Sequence, residues 1–294
     1  MSEILITGAS GFIGNNLIEN LNDLRFHPLN RPDFNLTKKK GFKAFIHLAG
    51  LAHDLSGNSI KNDYLESNYL LTIKAFKAFL DTDAKTFIFF STSKVYDNNE
   101  SFYTEDSIRA PKTPYGESKK LAEDYLQNQI NNPSIKDRKI FILRPSMVHG
   151  KGNKGNLRLM IRWVDSGLPW FFETYKNNRS YCSINLLSKL IRELINNADD
   201  HDSGPYNCAD KGTISSTELF RIICERRNRR FRSLKIPKFL FHIPINLLSH
   251  LGVKKPKDIL QKITSDFILS TEKLEKKFSH IDICTCSEEL RKSL

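Results

Sequence analysis

Residues 4–14 read Ile4-Leu5-Ile6-Thr7-Gly8-Ala9-Ser10-Gly11-Phe12-Ile13-Gly14. A short apolar run of strand formers ends in a threonine, three glycines follow at every third position, and the spacing then turns helical. This strand–turn–helix context is the one in which a glycine motif binds a dinucleotide. Gly8 permits the tight turn, Gly11 lets the backbone approach a pyrophosphate, and Gly14 lets the helix pack close to the sheet. The pyrophosphate would rest on the first helical turn, among Ser10, Phe12 and Ile13, where unpaired N–H groups and the helix dipole favour an anion. A glycine-rich turn without function is the competing reading, and its position at the very start of the first βα unit weighs against it.

Outward from this turn, short β-rich runs recur at Phe45-Ile46-His47-Leu48, Phe87-Ile88-Phe89-Phe90 and Ile140-Phe141-Ile142-Leu143. Continuous apolar runs suit strands buried on both faces. Between the runs at Phe45 and Phe87, Leu65, Asn68, Leu71, Thr72, Ala75, Phe76 and Phe79 fall on one face of a helix spanning Tyr64 to Leu80. Strand, helix, strand predicts an α/β fold, a Rossmann-type doubly wound parallel sheet. Residues 1–150 are expected to form the dinucleotide-binding domain, with later segments such as 180–210 returning to it. Residues 151–294 are expected to form a smaller, mixed substrate-binding region, with helices near Leu186–Asn196 and Ser216–Glu225.

The 294 residues, 39% hydrophobic, are enough to bury a core. Met1-Ser2-Glu3 leads straight into the first strand with no signal-peptide pattern, so a cytoplasmic protein is expected. The longest apolar stretch, Phe239 to Leu251, is broken by His242, Pro244, Asn246 and His250 and falls short of the roughly 20 residues that span a bilayer. Cys182, Cys208, Cys224, Cys284 and Cys286 make an odd set without CxxC spacing, read as reduced thiols with no metal. The net charge of +12 suits nucleic acid, an acidic membrane or a polyanionic small substrate. The densest basic run, Arg226-Arg227-Asn228-Arg229-Arg230-Phe231-Arg232, reads first as a solvated loop. Its rival is a patch meeting anionic lipid or diphosphate, which leaves peripheral membrane contact open. No nucleic-acid motif accompanies it, so no nucleic-acid partner is expected.

Tyr115-Gly116-Glu117-Ser118-Lys119 places a phenol and an ammonium at i,i+4, on one helix face. A nearby cation stabilises a phenolate that is otherwise a poor base at neutral pH, and the pair can then exchange a proton with a carbinol. Upstream, Ser91-Thr92-Ser93-Lys94-Val95-Tyr96 directly follows the run at Phe87, and downstream Arg144-Pro145-Ser146-Met147-Val148-His149-Gly150 follows the run at Ile140.

With glycines at 8, 11 and 14 in a TGxxGxxG spacing, these segments resemble the extended short-chain dehydrogenase/reductases of the NAD-dependent epimerase/dehydratase family, in the nucleotide-sugar 4-epimerase and 4-ketoreductase branch. The resemblance covers nearly the whole chain. It implies catalysis by Thr92, Tyr115 and Lys119, with Thr92 polarising the sugar oxygen and Ser93 beside it. It implies cofactor contacts from Leu48, Ala49, Gly50, Asn68, Tyr115, Lys119 and Pro145, with Asn68 organising the site. In Lys154-Gly155-Asn156 and Asn178-Arg179-Ser180-Tyr181 it places Asn156 and Arg179 on the substrate diphosphate, a group that suits arginine's planar fork. Arg158 and Arg162 read as surface charges, and His53 as either a sugar contact or a surface histidine.

Two departures from the family pattern shape the expected reaction. NAD-specific members end the second strand with an acidic residue, whereas Phe26-His27-Pro28-Leu29-Asn30-Arg31 ends in a cation suited to a 2′-phosphate, which favours NADP(H) over NAD. Asp33 is an alternative ribose contact, and the short connection from Arg31 to Phe45 resembles the ketoreductases. Dehydratases carry Asp-Glu after the catalytic threonine; Ser93-Lys94 stands here, so elimination of water is not expected. The expectation is hydride transfer at C4 of a UDP-(N-acetyl)hexose or 6-deoxyhexosamine for surface polysaccharide, 4-keto reduction ahead of 4-epimerisation. A non-catalytic NADP(H) sensor is the remote alternative, and a homodimer is expected by analogy with such enzymes.

Overall fold

The computed structural model describes residues 3–29, 40–52, 60–96, 100–153, 156–237 and 263–294. Its strands are β1 (Glu3–Thr7), β2 (Arg25–Leu29), β3 (Phe42–His47), β4 (Thr86–Phe90), β5 (Phe102–Tyr103), β6 (Lys139–Pro145), β7 (Met147–His149), β8 (Tyr181–Ser183), β9 (Gly204–Cys208) and β10 (Ile268–Leu269). Its helices are α1 (Phe12–Asn20), α2 (Lys61–Tyr64), α3 (Leu71–Leu80), α4 (Pro114–Ile130), α5 (Asn156–Asp165), α6 (Ile184–Asn196), α7 (Ser216–Arg226), α8 (Glu272–Lys277) and α9 (Cys286–Ser293).

Six strands form one parallel sheet in the order β2-β1-β3-β4-β6-β9. Alternate residues of each strand feed two cores, as the period of two requires. Ile4, Ile6, Ile46, Ile88, Phe90, Phe141 and Leu143 face Leu17 of α1 and Leu187, Leu190, Ile191 and Leu194 of α6. Leu5, Phe45, Phe87, Phe89, Ile140 and Ile142 face Phe76 and Phe79 of α3 and Ala122 and Leu126 of α4. Pro28 is tolerated because β2 is the edge strand.

A separate apolar cluster holds the C-terminal part together, with the Trp170 and Phe220 rings tilted at 30° and 4.8 Å apart and packed with Leu157, Val164, Ile223 and Leu290. β9, beyond residue 200, is the sixth strand of the main sheet, and α6 covers one of its faces. No helix among the described residues is long and apolar enough to cross a membrane.

The expected helix from Tyr64 to Leu80 begins earlier, at Lys61, and contains a π-helical turn, Leu65–Leu70, between α2 and α3. Such turns rotate one residue out of the regular register and occur often at functional sites. Here the buried residue of that turn is Asn68. The second strand ends at Leu29; Arg31, Asp33 and His53 lie outside the described residues.

Candidate active site

Strand order reverses between β1 and β3, and in open α/β sheets ligands bind beyond the carboxyl ends of the strands at such a point. Both strand ends there are built for close approach. Gly8 has φ +73, and a Cβ on it would lie 2.7 Å from the Ala49 amide nitrogen. A Cβ on Gly14 would lie 2.3 Å from the Gly8 carbonyl oxygen, so only glycine lets α1 start against the turn. At Gly11 a Cβ would meet nothing nearer than that same oxygen at 3.1 Å, so this side of the turn is open. α1 has no side-chain cap and no acidic residue in its first turn, leaving its N–H groups and positive dipole end for an anion.

This turn fits a dinucleotide pyrophosphate, with Ser10, Phe12 and Ile13 around it. At the end of β6, beside Pro145, the Ser146 hydroxyl is buried without a partner among the described residues, which suits a polar group of a ligand there.

A buried relay ties the turn to the rest of the site. Thr7 Oγ1 accepts from the Ala49 amide at 3.2 Å and lies 2.7 Å from His47 Nδ1; His47 Nε2 lies 3.1 Å from Thr72 Oγ1, which donates to the Asn68 carbonyl. Because the Thr72 proton is spent on Asn68, Nε2 must carry the imidazole proton and Nδ1 accepts from Thr7. Burial, helped by the Lys119 charge, pulls His47 down to about 3, so it stays neutral.

Asn68 then clamps two elements. Its amide accepts from Leu51 N at 2.8 Å, donates to Leu51 O at 3.1 Å and donates to Ser118 Oγ at 2.9 Å, joining the loop after β3 to α4. A Cβ on Gly50 would lie 2.5 Å from Asn68 Oδ1 and 3.5 Å from Lys119 Nζ, so these three groups converge.

α4 presents the expected pair. Thr113 caps it by accepting from Gly116 N, and Pro114 occupies the first position, where its missing N–H is harmless. Thr92 begins a short turn after β4 by accepting from Lys94 N at 3.2 Å, and its hydroxyl favours the ionised form of the Tyr115 phenol. Burial pushes the Tyr115 phenol up to about 12, the Thr92 hydroxyl opposing it. Lys119 Nζ donates to the Phe90 carbonyl at 2.7 Å and sits 4.6 Å over the Phe89 ring. Burial brings its ammonium down to about 7 from an ordinary 10.5, Glu123 opposing it.

The depressed lysine carries a stability consequence. Between about pH 7 and the ordinary lysine range the unfolded chain binds a proton that the folded chain does not, so stability rises with pH through that window and the cost is complete below it. Lys119→Met removes the cost. The variant is expected to be inactive yet more stable than the parent by about 1–2 kcal/mol near pH 6, with the gap closing toward pH 10. Thermal melts across that range check this; a gap independent of pH would show that the ammonium is not held near 7.

Thr92, Ser93, Tyr115, Lys119, Asn68, Gly50 and Pro145 therefore gather at the ends of β3, β4 and β6. The Asn156 side chain lies outside the described residues. The Arg179 guanidinium donates through Nη1 to the Ser265 carbonyl at 2.8 Å and lies over the Phe267 ring. His149 is wholly buried, between Ser293 Oγ at 2.7 Å and Asp210 Oδ2 at 2.9 Å.

Sequence reasoning missed the groups beneath the site. Glu123 receives Arg144 through three contacts of 2.6–3.1 Å, Arg109 at 3.1 Å and the Ser91 hydroxyl. Arg144 also donates to Tyr96 Oη at 2.8 Å and to the Glu105 carbonyl at 2.9 Å. The one available signal was Glu123 at i,i+4 from Lys119. Among the described residues no cluster of His, Cys, Asp and Glu could hold a metal.

Fold and site together define an NAD(P)-dependent enzyme of Rossmann type. The chain belongs to the NAD dependent epimerase/dehydratase family, whose model matches residues 4–209. It is 29% identical over 273 residues to a UDP-glucose 4-epimerase of Vibrio cholerae, covering 82% of this chain and 80% of that one. It is 25% identical over 295 residues to the N-acetyl-alpha-D-glucosaminyl-diphospho-ditrans,octacis-undecaprenol 4-epimerase of Escherichia coli O157:H7, covering 94% and 85%. The UDP-Glc/GlcNAc 4-epimerase from Campylobacter jejuni shares the fold, with a TM-score of 0.73 over 99% of this chain and 97% of that one at 19% identity.

Proposed function

We propose that the chain moves hydride at C4 of a nucleotide sugar of the UDP-hexose or UDP-N-acetylhexosamine class, with Thr92, Tyr115 and Lys119 as its catalytic residues. The observation that carries this reading is the convergence of Lys119 Nζ on the Phe90 carbonyl at 2.7 Å and on Gly50 of the loop after β3, one helical turn from Tyr115 on α4 and with Thr92 two residues beyond Phe90. Tyr115 exchanges the proton of the C4 hydroxyl, Thr92 orients that oxygen, and Lys119 supplies positive charge that favours the phenolate. A nicotinamide held by the glycine turn and the Tyr115–Lys119 pair would supply the hydride acceptor and donor. Ser93-Lys94 offers no carboxylic acid to expel a neighbouring hydroxyl, so the reaction stops at hydride transfer.

Arg31 and the short link after β2 favour NADP(H) and 4-keto reduction. Two relatives matched over 82% and 94% of this chain are 4-epimerases, which supports 4-epimerisation ahead of reduction, while a dTDP-4-dehydro-6-deoxyglucose reductase of Escherichia coli matched over 56% keeps 4-keto reduction as the second reading. A role in surface polysaccharide synthesis belongs to the same reading.

The test offers purified protein UDP-glucose and UDP-N-acetylglucosamine with catalytic NAD or NADP and follows the C4 configuration by NMR. Inversion without net cofactor consumption establishes the epimerase. Stoichiometric NADPH oxidation only with a UDP-4-keto sugar establishes the reductase, and no C4 chemistry with either refutes the reading.

A further inference from the structure

The basic run after α7 forms an ordered part of one surface. Asn228, at φ +52, ends α7 and reverses the chain, with Arg229 N donating to the Cys224 carbonyl at 2.8 Å. Residues 232–234 then pair with Trp170: Trp170 N donates to Arg232 O and Leu234 N to Trp170 O, each at 2.8 Å. This fixes the alternation of the ribbon, Ser233 turning in to Glu173 while Arg232 and Leu234 stay exposed.

The charges on this face are unbalanced. Asp165 is taken by Arg227 in a two-pronged pair at 2.9 and 2.7 Å, and Glu225 is taken by Arg291. Arg226, Arg230, Arg232 and Lys235 are exposed with no carboxylate partner among the described residues, and Arg229 stands exposed beside them. Apolar side chains lie between the cations. Leu234 is 49% exposed and Leu168, two residues before Trp170, is 55% exposed. On neighbouring α5, Leu159 is 60% exposed between exposed Arg158 and Arg162. The sequence beyond Pro237 keeps the same balance: from 238 to 262 it has Lys238, Lys254, Lys255, Lys257 and Lys262 against Asp258 alone.

We propose that this face of the C-terminal lobe docks on an anionic phospholipid surface. Cations free of carboxylates supply attraction to lipid headgroups, and the leucines among them supply apolar area that enters the headgroup boundary. A nucleic acid would use the arginines and leave the leucines in water, so the combined pattern favours the bilayer. Docking is independent of the catalytic reading, because none of these side chains belongs to the site.

The experiment is vesicle flotation of the full chain with phosphatidylcholine alone and with about 30% phosphatidylglycerol, at low and high salt. Binding to the anionic vesicles at least about tenfold above the neutral ones, lost as salt screens the charges, is expected. Combined Arg226→Gln, Arg229→Gln, Arg230→Gln and Arg232→Gln should weaken it about tenfold or more and leave soluble nucleotide-sugar turnover unchanged. Leu168→Ser with Leu234→Ser should weaken it several-fold while keeping the salt dependence, and serves as the second variant should the first not fold. Equal binding to both vesicle types, undiminished binding by the folded arginine variant, or tighter binding to a single-stranded oligonucleotide than to vesicles overturns the proposal.

Discussion

Tyr115→Phe is expected to lower turnover by about 10²–10⁴-fold while leaving dinucleotide and nucleotide-sugar affinity within about twofold. The substitution removes one oxygen and nothing else. The ring keeps its place 6.4 Å from the Tyr64 ring, and the groups that clamp the site, Asn68 on Leu51 and Ser118, do not touch the phenol. What is lost is the hydroxyl that Thr92 helps to ionise and that, on the proposed reading, exchanges a proton with the sugar.

Burial holds that phenol up near 12, so the resting protein carries it protonated and the oxidative half-reaction needs positive charge nearby to release it. Oxidative turnover of the parent should accordingly rise with pH while Lys119 is charged and level off as its ammonium titrates near about 7, and the residual rate of the variant should show no such rise. Single-turnover nicotinamide absorbance separates this from binding, which is measured by titration. A variant that keeps more than about a tenth of parental turnover would remove Tyr115 from the proton step.

The parts legible in the sequence were those written in local spacing. Gly8, Gly11 and Gly14 lie within one turn, and Tyr115 and Lys119 within another, so chain order already brings them together. The four apolar runs announced β1, β3, β4 and β6 because a parallel strand buried on both faces has no polar alternation to confuse it. The π-helical turn at Leu65–Leu70 was not legible, because the apolar positions around it still satisfy a helical period. His47 read only as a strand residue, since Thr7 and Thr72 reach it from 40 and 25 residues away. The resemblance places Arg179 on the diphosphate, and nothing in its spacing announced Ser265 and Phe267, which reach it from another segment altogether. Contacts made by tertiary packing leave no mark on spacing.

Glu123 is the extreme case, and Glu123→Ala is expected to destabilise the fold by about 3–5 kcal/mol. Its carboxylate is fully buried and Arg144 is 1% exposed, so deleting the acid strands a guanidinium where water cannot reach it. Burial works against the Arg144 charge, but Glu123 and then Tyr96 outweigh it and hold the guanidinium above its ordinary range. The alanine also removes one partner of Arg109, which keeps Asp124 at 2.7 Å, and frees the hydroxyl of Ser91, the residue directly before Thr92.

A buried ion pair is weak evidence of net stabilisation, and replacing both partners together tests where the cost lies. Glu123→Leu with Arg144→Met should recover at least half of the loss, measured by urea denaturation, because no unpaired charge remains. If the double variant is as unstable as the alanine, the loss comes from packing and from the Tyr96 and Glu105 contacts instead. Catalysis responds separately. Glu123 opposes the depression of Lys119, so in either variant the ammonium titrates still lower, and the pH at which turnover changes with Lys119 shifts toward acid. A purely structural role for Glu123 would leave that profile where it was in whatever fraction of the protein remains folded.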